Sequence, residues 1–546
     1  MRSRVLVALA LFVTAAALCS CAQLRHRAAV SGASGNAWTV PGTLRIAGQA
    51  HPENLNPMFG TQIIDTDLSM FWAGYLLRWS DRNVFVPELA TELPTTENGG
   101  ISQDGLRFTY HLRPHVQWQD GAPFSADDVI YTWQQVMNPK NVGVTRSGYD
   151  LIADIAKLDA HTIVVRLKRR YAPFVSVFFA GSACVLPKHL LGRFQDINHV
   201  SYNRLPIGTG PYRVVANEDG RSIRLIANPH YWRGSPGLQE IDYNVVADDR
   251  TILQQLRVHK IDFYYDASAM QRSDLHEIAG TDVYMFPFTK FSDLGFNTGK
   301  SPLSSVVVRR ALAYGLNKQA LVDGATAGVD MPSDSDQPPF SWALAPDVER
   351  YAYNIDLAGR LLDKAGWRLR PGGGRYKDGK PLQLELVGIA GSATTSAAQR
   401  LVAGDWAKLD VRIRIANYSS DKLYGPVSQG GVEQSGAFDV AFEDYANGID
   451  PDDSTLFACA MAPPAGLNIY HYCNRELDKA EADAISEYDR VARKKSYADV
   501  QQILAHELPI LVVWFDRRQD AANSDLQNYK PAYALSPFWN SWQWRI

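Results

Sequence analysis

Cysteine is scarce in this chain, and its spacing excludes one common kind of metal site. The 546 residues include five cysteines, of which two lie within the first 21 residues. The other three are Cys184, Cys459 and Cys473, and their flanks lack the paired C-x-x-C spacing typical of zinc sites. The sequence therefore predicts no zinc centre.

An excess of basic residues is also missing, as are the signatures of two large hydrolase classes. Lys and Arg number 55 against 58 Asp and Glu, so the net charge of −3 gives no basic footprint for nucleic acid. The chain contains neither G-x-S-x-G nor H-E-x-x-H. His111 and His115 are four residues apart, but Pro114 and the alternating pattern before it are typical of a strand and a turn. We expect no enzyme, metal site or cofactor; an extracellular hydrolase such as a peptidase is the alternative.

The N-terminus is typical of a secretory signal. Two arginines precede an apolar run over residues 5–18, which is too short to span a bilayer comfortably. The next residues, Leu-Cys-Ser-Cys, resemble a bacterial lipobox whose last residue, Cys21, is lipidated and becomes the new N-terminus. We therefore expect a signal peptide over 1–20 and a lipidated, flexible tether over 21–42. Because Cys19 is unusual in a lipobox, signal cleavage without lipidation is the alternative.

No apolar run beyond the signal approaches the 18 residues of a membrane span, so the lipid alone is predicted to hold the chain at the membrane. The mature chain would then lie outside the cytoplasm, where disulfides persist. There Cys459 and Cys473 could close a short loop. A disulfide and two free thiols are both compatible with the sequence.

The most informative stretch is residues 103–139. Apolar and polar residues alternate over 106–112, the period of a half-buried strand, and turn residues surround a short second strand over 116–118. Ser125 follows as a helix N-cap with Asp128 three residues later, and an Asn-Pro pair ends the helix. Taken alone, this is an ordinary β-β-α unit.

Short motifs in this stretch recur in one protein family. They are Asp104-Gly105, Leu112-Arg113-Pro114, Trp118, Asp120-Gly121, Pro123-Phe124, Ala126 and Asp128-Val129. Together they closely resemble the signature of the family 5 extracellular solute-binding proteins, the peptide- and nickel-type receptors of ABC importers. One position departs from the pattern, since His115 stands where the family often has Gly.

The resemblance covers about residues 43 to 520, and further matches lie between residues 55 and 312. They are L-N-P at 55–57, P-x-L-A at 87–90, P-K-H at 187–189, I-G-T-G-P-Y at 207–212, N-P-x-Y-W-x-G at 228–234, and F-N-T with V-R-R-A-L between 296 and 312. At 207–212 the chain is expected to reverse sharply, and Gly208 and Gly210 are predicted to allow positive φ there.

The resemblance implies an α/β, two-lobed fold like that of the periplasmic binding proteins, with mixed sheets flanked by helices and a ligand cleft at the hinge. The length agrees, because 546 residues are too many for one hydrophobic core. Lobe I would combine 43–86, 207–288 and 510–546. Residues 87–206 would be an inserted subdomain of lobe I, and 289–509 would be lobe II.

The function implied by the resemblance is capture of a solute, by default a peptide, between two lobes, with delivery to a membrane permease. Relatives of this architecture also bind nickel chelates, haem, opines and oligosaccharides, and composition does not separate these classes. Ligand closure could instead serve signalling. The implied partners are a peptide or other small solute, permease subunits and the membrane through the lipid; we expect a monomer that binds no nucleic acid.

The ligand contacts implied by the resemblance lie in residues 438–451, where a predicted strand ends. In peptide-binding relatives this region reads D-Y-x-D-P, and its first Asp pairs with the α-amino group of the ligand. Alignment on Asp450 places Asn447 at that position, which removes the charge and would weaken capture of a free amine. Alignment on Asp444 and Tyr445 keeps the carboxylate but requires a three-residue insertion. We prefer the first; the alternative is that both acids are solvated loop residues.

A second candidate contact comes from an aromatic group near the N-terminus. Phe71, Trp72, Tyr75 and Leu76 lie at helical spacing and predict one face of a helix. This face either packs in the core or lines the ligand cleft, as the same helix often does in relatives. Trp72 is the candidate ligand contact.

Overall fold

The computed structural model describes residues 35–60, 62–178, 180 and 183–546. The chain divides into two units, residues 1–39 and 40–546. The sheets, helices and hydrophobic clusters that follow belong to the second unit. The predicted signal peptide and Cys21 lie outside the described residues. Within the described part, no helix is both long and apolar enough to cross a bilayer.

Strands and helices alternate along residues 40–546, as expected for an α/β chain. The strands are β1 (Thr43–Gly48), β2 (Leu77–Trp79), β3 (Phe85–Pro87), β4 (Arg107–His111), β5 (Ile152–Asp159), β6 (Thr162–Leu167), β7 (Tyr212–Glu218), β8 (Ser222–Ala227), β9 (Glu240–Val245), β10 (Phe263–Tyr264), β11 (Thr281–Phe296), β12 (Met331–Pro332), β13 (Arg368–Leu369), β14 (Arg375–Lys377), β15 (Lys380–Pro381), β16 (Gln383–Ile389), β17 (Arg412–Tyr418), β18 (Val440–Ala446) and β19 (Ile510–Asn523). The helices are α1 (Ile63–Ser69), α2 (Ala126–Met137), α3 (Phe174–Val177), α4 (Lys188–Leu191), α5 (Asp249–Arg257), α6 (Arg272–His276), α7 (Val306–Tyr314), α8 (Lys318–Thr326), α9 (Ile355–Lys364), α10 (Ala393–Ala407), α11 (Ser420–Tyr424), α12 (Ser454–Phe457), α13 (Arg475–Ser486) and α14 (Arg490–Glu507).

One mixed sheet extends through the unit, and two long strands lie in its middle. The strand order is β17-β16-β18-β11-β19-β10-β1-β9-β8-β7, with β12 also paired to β19. β11 and β19 pair antiparallel from Thr281 opposite Asn523 to Gly295 opposite Ile510. The register breaks between Pro287 and Phe291, which marks an irregularity in the middle of β11.

The buried apolar residues divide by sequence into several clusters. The largest is drawn from residues 44–265 and 522–544. Two others are drawn from residues 291–515 and contain side chains of β11, β16, β18 and β19. More than one core is expected for a chain of this length.

The stretch that begins near residue 103 folds mostly as its pattern predicts. β4 forms a small antiparallel sheet with β6 and β5, and α2 begins at Ser125 with both bonds of a capping box to Asp128. The predicted strand over 116–118 is wrong, since this segment makes only an isolated bridge at Gln117. It has too few residues between its turns to pair further. His115 has φ of +63°, the left-handed conformation for which glycine is the usual residue.

The predicted aromatic helix over residues 71–76 is also wrong, because α1 ends at Ser69. The carbonyls of Phe71 and Trp72 would have to accept from the N–H groups four residues later in a helix. They accept instead from a distant segment: Tyr212 donates to Phe71 at 2.8 Å and Gly210 donates to Trp72 at 2.9 Å. Tertiary backbone hydrogen bonds therefore override the helical spacing.

The same contact corrects the prediction for the two glycines. Neither Gly208 nor Gly210 adopts positive φ. A Cβ on Gly208 would lie 1.7 Å from the carbonyl oxygen of Trp72, and one on Gly210 would lie 2.6 Å from its carbonyl carbon. These positions require glycine because two backbone segments approach closely.

We predict that Gly208→Ala lowers the free energy of unfolding by at least about 2 kcal/mol, because the new methyl group overlaps backbone that is hydrogen-bonded on both sides. Chemical denaturation measures the change. Gly404→Ala, in α10 and with nothing within 4 Å of the added Cβ, is the matched control and should be stabilising by about 0.5–1 kcal/mol. Wild-type stability in Gly208→Ala would show that the close approach imposes no constraint.

Candidate functional site

Two neighbouring cavities share lining residues from distant parts of the chain. Their volumes are about 530 Å³ and 260 Å³, in the range in which small ligands are bound. The residues that line both are Trp79, Asn83, Val84, Trp342, Ile449 and Arg490. We call the two cavities together the cleft.

The rest of the lining also comes from both halves of the sequence. The larger cavity is bounded by residues from 93–101 and 172–176 on one side, and by Asp450, Tyr488 and Arg493 on the other. A depression of about 700 Å³ elsewhere is lined mainly by α13 and α14. Because that depression lies along neighbouring helices, it cannot be closed by separate halves of the chain, and the cleft is the better candidate.

The hairpin of β2 and β3 fixes Trp79 at the wall of the cleft. Trp79 packs edge to face on Phe85, with ring centres 4.9 Å apart. The neighbouring Arg78 is buried and forms an ion pair with Glu88 at 2.7 Å. Arg78 also donates to the carbonyl of Trp539 at 3.1 Å, which ties the hairpin to the C-terminal segment.

Trp342 is held on the opposite wall by cations of α14. The guanidinium groups of Arg490 and Arg493 lie 5.0 and 5.3 Å from its ring centre, within the range of cation–π attraction. Tyr497 packs edge to face on the same ring at 5.9 Å. Asp489 caps α14 by accepting from Ala492 at 2.7 Å, so the first helical turn is fixed beside the cleft.

Asp450 lines the larger cavity, but its carboxylate is already paired. Arg493 donates to both of its oxygens, at 2.7 and 2.9 Å, and Tyr497 donates at 3.2 Å. Burial raises the pKa of Asp450, and the Arg493 charge opposes that rise. Asp450 is therefore an internal ion-pair partner and is not a solvated loop acid.

Asn447 lies beside the cleft and outside its described lining. Its side chain is 8% exposed, and its amide Nδ2 donates to the carbonyl of Asp336 at 2.5 Å. Asp336 precedes Gln337 and Pro338, which line the smaller cavity. In this arrangement Asn447 holds one wall in place.

Asp444 and Tyr445, the other alignment of the amine site, also lie outside the described lining of the cleft. Asp444 accepts from Lys290 at 3.1 Å and from Ser292 at 2.5 Å. Lys290 also pairs with Asp516 at 3.0 Å. Burial lowers the pKa of Lys290, but Asp516 and Asp444 outweigh it, so the pKa is raised. Tyr445 packs against an aromatic ring of β11.

Trp72 is 1% exposed and belongs to the largest hydrophobic cluster. It does not contribute to the described lining of either cavity. Its position favours the core-packing alternative over contact with a ligand.

Cys459 and Cys473 are joined by a disulfide, which closes the loop between α12 and α13. Cys184 is a free, buried thiol, and burial raises its pKa to about 12. It therefore stays protonated and is not a reactive nucleophile.

Sequence reasoning missed the residues that line both cavities. Trp79 and Trp342 follow no periodic pattern, and each is brought to the cleft by tertiary structure. Arg490 could be suspected only as the first residue of a capped helix. The family motifs point to a loop that borders the smaller cavity, where Gly448, Ile449 and Pro451 lie, but not to these side chains.

Buried carboxyl groups lie close to β18 without forming a metal site. Asp293 stands opposite Glu443 in the sheet, and the side chain of Glu443 is hydrogen-bonded to that of Glu433. Burial raises the pKa of Glu433 to about 7 and raises those of Asp293 and Glu443 further. Among the described residues, no group of three or more such side chains has a geometry that could hold a metal ion.

These carboxyl groups should make the protein more stable in mild acid than in base. With a folded-state pKa above its ordinary value of 4.5, Glu433 holds a proton in the folded protein that the unfolded chain has lost. Its stabilisation is full below pH 4.5 and is lost as the pH rises to about 7. We expect Glu433→Gln to reduce the fall in unfolding free energy between pH 5 and pH 8 by on the order of 2 kcal/mol.

Urea denaturation at several pH values measures this effect. Glu218→Gln, at an exposed position on β7, is the control and should keep the wild-type pH dependence. If Glu433→Gln also keeps it, Glu433 does not titrate in the folded protein as described.

Comparison with known proteins agrees with the fold and identifies the family. The structure resembles that of NikZ from Campylobacter jejuni in complex with Ni(L-His), with a TM-score of 0.77, 23% identity, and coverage of 93% of this chain and 100% of that one. It also resembles AppA from Bacillus subtilis in complex with a nonapeptide, with a TM-score of 0.75, 23% identity, and coverage of 92% and 99%. At this identity the likeness establishes the α/β fold of solute-binding proteins.

Curated relatives match over nearly the same length. The dipeptide-binding protein of Escherichia coli is 24% identical over 509 residues, which cover 89% of this chain and 92% of the relative. The oligopeptide-binding protein AppA of Bacillus subtilis is 24% identical over 495 residues, covering 90% and 89%. The model of the bacterial extracellular solute-binding proteins, family 5, matches residues 84–462, more than half of the chain. The chain therefore belongs to family 5 of the bacterial extracellular solute-binding proteins.

Proposed function

We propose that this chain is the lipid-anchored receptor of an ABC importer, which captures a peptide in the cleft and delivers it to a membrane permease. The observation that carries the proposal is the cleft itself. Its walls come from residues before 177 on one side and after 288 on the other. A ligand held there would bridge the two halves, so binding would favour their closed arrangement. The dipeptide- and oligopeptide-binding relatives are binding proteins by name, which supports binding over hydrolysis.

The two proposed lobes would meet at the paired strands β11 and β19. We propose lobe I as 43–86, 207–288 and 510–546, with 87–206 inserted, and lobe II as 289–509. The separate hydrophobic clusters support this division up to residue 509, whereas residues 510–515 of β19 pack in the clusters of lobe II. The register break after Pro287 lies at the boundary between them. Irregular register in a long strand pair is a natural place for bending.

Contacts between the inserted subdomain and proposed lobe II support assignment of this form as closed. Tyr488 donates to the carbonyl of Gly105 at 2.7 Å and accepts from the N–H of Tyr171 at 3.3 Å. Ala172 donates to the carbonyl of Ile485 at 2.7 Å. These bonds lie beside the larger cavity and would have to break when the lobes part.

A metal chelate is the second candidate ligand, because the structural relative NikZ holds a nickel–histidine complex. The aromatic walls suit either class. Native mass spectrometry of the folded, lipid-free chain from residue 22, followed by analysis of the released molecules, separates them. A series of peptide masses supports the proposal, whereas a single chelate mass replaces the peptide with the second candidate.

We predict that Trp342→Ala weakens binding of the identified ligand by at least about tenfold, because buried aromatic contacts of this kind contribute about 1–3 kcal/mol. Isothermal titration calorimetry measures the affinity, and circular dichroism verifies the fold. Trp133→Ala is the control, since Trp133 is partly buried on α2 and lies outside the described lining of the cleft. Unchanged affinity in Trp342→Ala would place the ligand elsewhere.

The membrane anchor is proposed from Cys21, the last residue of the lipobox-like sequence. We predict that Cys21→Ser moves the protein from the membrane fraction of the cell to the soluble extracytoplasmic fraction, because the acyl chains are then lost. Fractionation and immunoblotting measure the distribution, and Cys184→Ser is the control that keeps the anchor. Full membrane retention of Cys21→Ser would exclude this anchor.

A further inference from the structure

The smaller cavity has charged groups of only one sign in its described lining. Those groups are Arg82 and Arg490, and both side chains are exposed enough to reach a ligand. Neither forms an ion pair within the described part of the chain, and Arg490 lies against the face of Trp342. An ordinary surface arginine is simply solvated, but two that line one cavity of about 260 Å³ without an acid make it electropositive.

The acids that could have received a ligand amine are already paired with cations of the protein. Asp450 is held by Arg493 at 2.7 Å, and Asp444 is held by Lys290 at 3.1 Å. Asn447 has no charge, and its amide binds a backbone carbonyl. An amine in the smaller cavity would therefore meet two cations and no uncommitted carboxylate.

The larger cavity does not supply the uncommitted carboxylate that the smaller cavity lacks. Its remaining acids are Glu97 and Asp489, and both are exposed. The side chain of Asp489 caps α14, and that of Glu97 is bonded by the hydroxyls of Thr95 and Thr96. Both carboxylates are therefore already engaged in hydrogen bonds of the protein.

The uncharged lining favours an anion attached to a flat or apolar group. Trp79, Phe340 and Trp342 supply aromatic surface to the smaller cavity. The indole N–H of Trp79 has no acceptor among the described residues. A carboxylate supplies acceptor oxygens, and arginine binds carboxylates in bidentate geometry with charge-assisted hydrogen bonds.

We infer that the cleft selects its ligand by an anionic group, which Arg82 and Arg490 bind in the smaller cavity, and not by a free amine. The inference rests on the proposed function and specifies its ligand: a peptide or similar solute whose carboxylate end enters the smaller cavity. The amine end would carry little of the selectivity.

A randomised tetrapeptide library tests this when prepared in three forms: with free ends, with the C-terminus amidated, and with the N-terminus acetylated. The ligand-free protein without its lipid, from residue 22, is incubated with each form, and retained peptides are quantified by mass spectrometry. We expect amidation to reduce retention at least tenfold and acetylation to change it less than threefold.

Arginine variants connect the selectivity to the cavity. Arg82→Gln and Arg490→Gln should each reduce the preference for free carboxylates at least fivefold. Lys494→Gln, an exposed change on the same helix outside the described lining, should leave it unchanged. Circular dichroism verifies that each variant is folded.

The possible failures are distinct. Equal retention of the amidated and free forms, a preference that survives both arginine changes, or a tenfold loss on acetylation would overturn the inference while the receptor function stands. If the folded wild type retains none of the three forms, peptide binding itself fails, and the inference fails with it.

Discussion

The antiparallel pairing of β11 with β19 is the interaction on which the rest of the structure depends. In the order of the described strands, these two separate β16–β18 from β1 and β7–β10, so the two ends of the sheet are joined through them. Lys290 lies within the irregular part of β11 and pairs with Asp444 on β18 and Asp516 on β19. One half-buried ammonium thus connects three strands at the point where the register of β11 and β19 changes.

The pairing and protonation of carboxyl groups explain which charges the cleft presents to a ligand. Carboxylates in the interior are costly unless they are paired or protonated. Asp444 and Asp450 are paired, while burial keeps Glu433 and Glu443 largely protonated in mild acid. The carboxylates at the strand end that resembles an amine site are therefore already paired, whereas Arg82 and Arg490, which line the smaller cavity, form no ion pair with the described residues.

Local patterns predicted the parts of the fold that local chemistry decides. Two examples are the alternation of apolar and polar residues along β4 and the capping box at Ser125. His115 has a left-handed φ, the conformation that glycine adopts most readily. The helix over 71–76 failed because Tyr212 and Gly210 bind its carbonyls from afar. The same physical limit applies to the site: the motifs point to the loop at 444–451, but which side chains line the cleft depends on segments more than a hundred residues apart.

In the proposed two-lobed arrangement, the two cavity arginines come from opposite lobes, Arg82 from lobe I and Arg490 from lobe II. Closing an empty cleft brings these like charges towards each other as water leaves the smaller cavity, which opposes closure. The bonds made by Tyr488 and Ala172 favour closure, but each contributes only about 1 kcal/mol. An anion between the arginines converts their repulsion into attraction, so the same group that is recognised would also shift the equilibrium to the closed state. A neutral or cationic ligand gains no such difference between the open and closed forms.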